Sequence, residues 1–167
     1  MSATAREHMF KPISRFIATG TYTGYTPRMP GTAGTLWGVV IAYLCAGLQV
    51  RAQAQILLAA FAVSVVTAEI TSREMRSKDP KEIVCDEAVG YLVTFALVPL
   101  SALNLILAFL FFRFFDILKP YPVNAIDKKV RGGLGIVLDD VAAGIYANIA
   151  THLIIWFTGG RLLPPIR

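Results

Sequence analysis

The chain has 167 residues, a single-domain length, with 16 Lys and Arg against 11 Asp and Glu for a net charge of +5. Hydrophobic residues make up 55% and charged residues 16%, and a mean hydropathy of +0.58 excludes intrinsic disorder and argues against an ordinary water-soluble domain. In so apolar a chain, the positive excess predicts anionic membrane lipid, and not nucleic acid, as the partner.

Four stretches contain no charged residue, and each is close to the roughly 20 residues that a bilayer-spanning helix needs. In chain order they are Met29–Val50, Ala52–Ala68, Ala88–Phe112 and Val141–Gly160. Proline and glycine predict a loop at the start of the first stretch, which limits its helix to about Leu36–Val50. We therefore predict an all-α fold for residues 1–167, a compact helical bundle with several membrane-embedded or re-entrant helices. The alternative is a soluble bundle of four buried helices.

Clusters of basic residues between these stretches predict the membrane topology. One cluster precedes the first stretch, one follows the second and one follows the third, while Arg51 alone separates the first two stretches. The positive-inside rule places all three clusters in the cytoplasm, so the first two stretches form a hairpin that turns at Arg51. The third stretch then cannot cross the membrane once. Pro99 near its middle predicts two short helices that enter the membrane and return.

Two pairs of adjacent carboxylates, Asp86-Glu87 and Asp139-Asp140, lie next to apolar stretches. Neighbouring like charges repel, and burying them is costly, so a divalent cation is the simplest partner. Ligand sets made of carboxylate oxygens favour Mg²⁺ or Mn²⁺ over zinc. The alternative is that the carboxylates lie in the first turns of helices, where the helix dipole stabilises them.

Arg113, Asp116 and Lys119 follow one another at intervals of three residues, so a helix would align them along one side. Either they form a row of salt bridges, or the two basic side chains bind a phosphate group near Asp116. Because Pro120 follows Lys119, we expect the helix to end there.

Two glycine-containing segments are candidates for binding phosphate. Gly132-Gly133-Leu134-Gly135 precedes the helix expected to carry Asp139, and its backbone N–H groups suit phosphate oxygens. Thr32 lies in the Pro/Gly segment of the first stretch. It either contributes to phosphate binding or, like Thr35, caps the first helix.

Residue spacing excludes several phosphatase mechanisms. The sixth residue after Cys85 is Tyr91 and not the Arg of a Cys-x₅-Arg loop, and the chain contains no Asp-x-Asp pair. Its two histidines, His8 and His152, are too far apart to form a paired-histidine site, and no Gly-x₄-Gly-Lys-Ser/Thr loop is present. Of the mechanisms considered, metal-assisted chemistry on a phosphate group at a membrane is the one that the sequence still allows.

Four sequence blocks then suggest a family. They are Pro30-Gly31-Thr32-x-Gly34-Thr35, Lys78-Asp79-Pro80 with Ile83-Val84-x-Asp86-Glu87-x-x-Gly90, Phe112-Arg113-x-Phe115-Asp116-x-x-Lys119-Pro120-x-Pro122, and Gly132-Gly133-x-Gly135-Ile136-x-x-Asp139-Asp140-x-x-Ala143-Gly144. Together, and in this order, they closely resemble the phosphatidylglycerophosphatase A family. The resemblance implies an all-helical enzyme of the bacterial inner membrane that depends on Mg²⁺. It would remove the terminal phosphate of phosphatidylglycerophosphate to give phosphatidylglycerol.

We therefore expect a lipid phosphatase whose active site faces the cytoplasm. The expected ligands of one or two Mg²⁺ are Asp86, Glu87, Asp139 and Asp140. The expected phosphate ligands are Arg113, Lys119, Gly133 and Thr32. The expected catalytic residues are Asp86, Asp116 and Asp140.

Two questions stay open at the level of sequence. Asp116 either completes the metal shell and positions water, or attacks phosphorus as a covalent nucleophile. The alternative function is a small membrane cation carrier or channel component that uses the same carboxylates, and a third reading is a non-catalytic membrane scaffold.

Overall fold

A computed structural model describes residues 3–158, with side chains from residue 10 onward. Within that range the chain forms seven α-helices and no strand. The helices are α1 (Ala3–Ala18), α2 (Pro30–Cys45), α3 (Val50–Met75), α4 (Cys85–Thr94), α5 (Ala102–Leu118), α6 (Val123–Lys129) and α7 (Gly132–Phe157). A short 3₁₀ turn at Thr23–Tyr25 lies between α1 and α2. The predicted all-α fold is confirmed.

Helix α7 is the centre of the bundle and packs against α3, α4, α5 and α6. Glycines let α4 approach it closely: a Cβ on Gly144 would collide with the carbonyl oxygen of Gly90. One helical turn earlier, Asp86 on α4 is likewise level with Asp140 on α7. Because both pairs shift by four residues together, α4 and α7 run in the same direction where they touch.

The third uncharged stretch forms two helices, as predicted. Helix α4 ends at Thr94, and α5 begins after Ser101, whose Oγ accepts a hydrogen bond of 3.0 Å from the N–H of Asn104. This contact caps α5. The Asn104 side chain also donates to the Pro99 carbonyl oxygen at 2.7 Å, which fixes the connection between the helices.

Three helix starts differ from the prediction. Helix α2 begins at Pro30 and includes the segment that we expected to be a loop, because proline at the first helical position sacrifices no hydrogen bond. Helix α3 begins at Val50, so the hairpin turn ends before Arg51. Helix α7 begins at Gly132, so the glycine-rich segment is its first turn and not a preceding loop.

Among the described residues, only α3 and α7 have both the length and the apolar composition needed to cross a bilayer. Each has 26 residues, about 39 Å at 1.5 Å per residue. The two helices run in opposite directions, since Glu69 near the end of α3 accepts a hydrogen bond from Gly133 at the start of α7. Large apolar side chains such as Leu58 and Trp156 are more than two-thirds exposed on them, which favours a membrane environment.

Because α4 and α7 are in close contact at Gly90, we expect Gly90→Ala to lower the stability of the folded protein. The new Cβ would lie 2.5 Å from the Phe112 ring and 2.8 Å from the Asp140 carbonyl oxygen. Alanine normally favours a helix over glycine by about 1 kcal/mol. Here we expect the free energy of unfolding to fall by about 1–3 kcal/mol, because α4 and α7 must move apart to make room for the new Cβ.

The measurement is the thermal unfolding midpoint of the detergent-solubilised chain, followed by circular dichroism. Gly47→Ala is the control, since a Cβ at Gly47 meets nothing within 4 Å and the residue is outside the left-handed region. Equal midpoints for the two variants would contradict the close contact.

Candidate active site

A cavity of about 310 Å³ opens at the end of the bundle where α2, α4 and α7 begin and α5 ends. It is lined by seven carboxylates and four basic side chains. They are Asp79, Asp86, Glu87, Asp116, Asp127, Asp139 and Asp140, with Lys78, Lys81, Arg113 and Lys119. Residues from all four sequence blocks therefore meet in one place.

Asp86, Glu87 and Asp140 form what we call the carboxylate cluster. One oxygen from each residue lies within 4.8 Å of the other two. Asp86 and Glu87 belong to the first turn of α4, as the capping alternative requires, but Asp140 lies two turns inside α7. Asp86 and Asp140 are only 8% and 4% exposed, so a helix dipole alone does not explain the cluster.

The carboxylate cluster has the donor set of a hard cation. In each of its three residues one buried oxygen has no hydrogen-bond partner: Asp86 Oδ1, Glu87 Oε2 and Asp140 Oδ2. Buried polar atoms are nearly always hydrogen-bonded or coordinated, because leaving them unpaired is costly. Three neighbouring carboxyl groups that each have such an oxygen, in a group without histidine or cysteine, fit Mg²⁺ or Mn²⁺.

Burial raises the pKa of both Asp86 and Glu87. After burial, the largest cause is a neighbouring carboxylate, Glu87 for Asp86 and Asp140 for Glu87. The pKa of Glu87 rises to about 8, although the hydrogen bond with Asp86 and the charge of Arg113 oppose the shift. At neutral pH the cluster therefore holds protons that a bound divalent cation would displace.

Arg113 and Asp116 form an ion pair, with 2.7 Å between Nη1 and Oδ2, which is part of the salt-bridge alternative that the sequence left open. Their side chains are 19% and 15% exposed, and both line the cavity. Gly31 on α2 makes room for the guanidinium, since a Cβ there would lie 3.0 Å from Nη1 and collide with Glu87. The Arg113 guanidinium is therefore next to the carboxylate cluster.

Lys119 joins a second group of carboxylates. Its Nζ lies 2.7 Å from Asp139 Oδ2 and 3.4 Å from Asp127 Oδ1. Asp139, which we predicted to be a metal ligand, thus faces Lys119 and lies outside the carboxylate cluster. The reason is geometric: Asp139 and Asp140 are consecutive on a helix and point about 100° apart.

Two predicted phosphate ligands, Gly133 and Thr32, are not among the residues that line the cavity. The Gly133 N–H donates to Glu69 Oε2, so its hydrogen bond is already made within the protein. Glu69 in turn lies 2.6 Å from Arg73. Thr32 is in the first turn of α2 and does not cap it, and Thr35 donates back to the Gly31 carbonyl oxygen at 2.8 Å.

Asp79 and Asp127 line the cavity, although sequence reasoning gave neither a role. Asp79 stands in a block that carried the family resemblance, and its partial desolvation at the cavity raises its pKa. Asp127 precedes Lys128 and Lys129, a pattern typical of a basic surface patch. Its contact with Lys119 depends on how α6 folds back onto α7, which no spacing rule specifies.

Comparison with known proteins identifies a family. The family model described as Phosphatidylglycerophosphatase A matches residues 16–155. The chain is 36% identical to Phosphatidylglycerophosphatase A of Haemophilus influenzae over 148 residues, which is 87% of this chain and 90% of the relative. It is 32% identical to Phosphatidylglycerophosphatase A of Escherichia coli over 130 residues, 77% of this chain and 76% of the relative.

A third relative carries a different name. The chain is 32% identical over 157 residues to a Putative phosphatidylinositol-3-phosphatase of Bacteroides thetaiotaomicron, covering 90% of this chain and 97% of the relative. No solved structure is significantly similar to the chain.

The raised pKa of Glu87 predicts that the chain loses stability in EDTA as the pH rises from about 5 to about 8. The folded pKa is about 8 against an ordinary value of 4.5, so the folded protein binds more protons than the unfolded chain in this interval. Stability present below the unfolded pKa is therefore lost as the pH rises through the folded pKa.

The measurement is the thermal unfolding midpoint at several pH values for the wild type and for Glu87→Gln. The variant cannot ionise at this position, so its unfolding midpoint should fall less steeply with pH than that of the wild type. Mg²⁺ should raise the wild-type midpoint more at pH 8 than at pH 5. Parallel pH curves for the two proteins would contradict the assignment to Glu87.

Proposed function

The chain belongs to the phosphatidylglycerophosphatase A family and is a phosphatase, and we propose that it is a Mg²⁺-dependent enzyme that hydrolyses the terminal phosphomonoester of phosphatidylglycerophosphate. The products would be phosphatidylglycerol and inorganic phosphate. The observation that carries the proposal is the meeting of the carboxylate cluster with Arg113 in one cavity. Ligands for a hard cation thus lie beside a ligand for phosphate.

The three residues of the carboxylate cluster would hold the cation, each through its unpaired oxygen. When bound, Mg²⁺ supplies positive charge for the phosphoryl oxygens and makes water more acidic. Asp139 would act differently from our first expectation, because its carboxylate holds Lys119 in place.

Arg113 and Lys119 would bind the phosphate. Each is already paired with a carboxylate, Asp116 and Asp139 respectively, so its positive charge is fixed at the cavity wall before substrate arrives. The guanidinium offers several donors in one plane, and the ammonium adds a compact charge. Phosphoryl transfer depends mainly on such positioning and charge stabilisation.

Asp116 would orient the attacking water, because its carboxylate lies at the cavity wall beside Arg113. The water oxygen forms a bond to phosphorus while the bond from phosphorus to the glycerol oxygen breaks. The water gives up a proton in this step, and the glycerol oxygen takes up a proton from solvent. In the alternative route, the Asp116 carboxylate attacks phosphorus and displaces the glycerol oxygen, which takes up a proton. Water then hydrolyses the acyl phosphate to inorganic phosphate and the free carboxylate. Trapping with hydroxylamine separates the two routes.

The proposed location is the bacterial inner membrane, with the cavity on the cytoplasmic side. Several basic side chains are exposed at the cavity end of the bundle, and Arg51 lies at the opposite end. Those at the cavity end are Arg28, Arg73, Arg76, Lys78, Lys81, Lys128, Lys129 and Arg131. The positive-inside rule supports this orientation. The acyl chains of the substrate would stay in the bilayer while its headgroup enters the cavity.

Removing one ligand of the carboxylate cluster tests the metal assignment. We expect Asp86→Asn and Asp140→Asn each to abolish phosphate release from phosphatidylglycerophosphate, measured with malachite green, and EDTA to do the same to the wild type. Helix content should not change. Glu82→Gln, a half-buried acid that does not line the cavity, is the control and should retain wild-type turnover.

Full turnover in both Asn variants would rule out the metal assignment. Phosphatidylinositol 3-phosphate should be tested as a second substrate in the same assay, because the Bacteroides relative is named a Putative phosphatidylinositol-3-phosphatase. Faster release from that lipid would overturn the proposed substrate while leaving the phosphatase chemistry in place.

Arg113→Ala tests the phosphate ligand. We expect kcat/KM to fall by about 10²–10³, or about 3–4 kcal/mol, a loss typical of a removed electrostatic stabiliser. Arg113→Lys should recover part of it, since the charge is kept and the planar donors are lost. Arg73→Ala is the matched control, because Arg73 is also ion-paired but is 80% exposed and does not line the cavity. A similar loss in both alanine variants would contradict the role of Arg113.

A further inference from the structure

The large apolar side chains of helix α1 point away from the bundle, and its small side chains pack against the bundle. Ser14 and Ala18 face the bundle and are 4% and 0% exposed. The outer side carries large apolar side chains that are 37–51% exposed: Phe10, Ile13, Phe16 and Ile17. We call these four residues the outer face of α1. A surface helix of a water-soluble protein has the reverse arrangement.

We infer that the outer face of α1 inserts into the headgroup region of an anionic bilayer, on the side of the membrane where the cavity opens. Amphipathic helices of this kind lie in the interface and bury their apolar side about 5–10 Å deep. The inference concerns a membrane contact outside the cavity, and it stands independently of the reaction that the enzyme catalyses.

The charges around α1 match an anionic surface. Helix α1 carries three basic residues, Arg6, Lys11 and Arg15, against one acid, Glu7, and the basic Arg28 follows the helix. Basic residues beside an apolar helix face add electrostatic attraction to anionic lipid.

Exposed aromatic residues continue the surface beyond α1. Tyr22 and Tyr25 are 51% and 46% exposed, and the Tyr22 ring packs edge-on against Phe16. Tyrosine is enriched at membrane–water interfaces because one end of its side chain is apolar and the other polar.

Two contacts place α1 at the level of the cavity. Arg15 pairs with Glu74 near the end of α3, a helix of spanning length. The Val84 N–H donates to the Ala18 carbonyl oxygen at 2.8 Å, two residues before Asp86. The outer face is therefore joined to the end of the bundle where α3 leaves the bilayer. By its contact with the headgroups, α1 would set the depth of the cavity.

A second copy of the chain fits the outer face less well. A twofold-symmetric contact would place Lys11 and Arg15 of one copy near those of the other. Helix α1 has one acid, Glu7, against three basic residues, and Arg15 uses Glu74 of its own copy. Two copies would therefore bring excess positive charge together, whereas lipid headgroups supply negative charge.

The test uses the full chain with Cys45→Ala in nanodiscs of phosphatidylcholine and phosphatidylglycerol; Cys85 is buried and is left in place. A nitroxide is attached in separate proteins at Ile13→Cys, at Leu58→Cys on the exposed side of α3, and at Lys128→Cys on α6. Power-saturation EPR then compares collisions with oxygen, which concentrates in lipid, and with a water-soluble nickel chelate.

We expect the oxygen-to-nickel ratio at Ile13 to approach that at Leu58 and to exceed that at Lys128 several-fold. Replacing the anionic lipid by phosphatidylcholine should lower the ratio at Ile13, and Lys11→Glu should reduce this lipid dependence, whereas Lys11→Arg should preserve it. A ratio at Ile13 equal to that at Lys128 would overturn the inference. Dipolar broadening between Ile13 labels would overturn it in favour of a second copy.

Discussion

The close contact between α4 and α7 is the constraint on which the rest of the structure depends. Gly90 and Gly144 bring the two backbones together, and one turn earlier the same approach places Asp86 and Glu87 beside Asp140. Helix packing brings these three carboxyl groups together, although their ionised forms repel one another. Burial, and after it the charge of Asp140, raises the pKa of Glu87, and both effects would favour a divalent cation at this place.

The balance of charge in the cavity would couple phosphate binding to the proposed cation. Seven carboxyl groups line the cavity with four basic side chains, so each carboxyl group that ionises makes the cavity less favourable for a phosphate dianion. The ion pairs of Arg113 and Lys119 with Asp116 and Asp139 keep positive charge at the wall without adding net charge. A cation held by the carboxylate cluster would therefore complete the phosphate site as well as supply its own chemistry.

The position of the cavity suits a substrate whose reacting group is at the membrane surface. The cavity lies at one end of the two spanning-length helices, among exposed basic residues. A lipid headgroup is at this depth without leaving the bilayer. The outward apolar side of α1 would fix the same depth from outside the bundle, so the membrane would orient the enzyme as well as the substrate.

The sequence by itself determined the all-α fold, the break near Pro99, the family, and the residue types of the site, because hydropathy, proline and adjacent carboxylates act over short distances along the chain. It did not determine which carboxylates meet. Asp139 and Asp140 are equivalent in sequence, yet their directions on α7 send one to Lys119 and the other to Asp86. We predicted that the Gly133 N–H binds phosphate, but it donates to Glu69, which the packing of α3 places beside it. Asp127 contacts Lys119 because α6 packs on α7. Such contacts depend on how helices far apart in the chain approach and rotate, and only tertiary packing sets that.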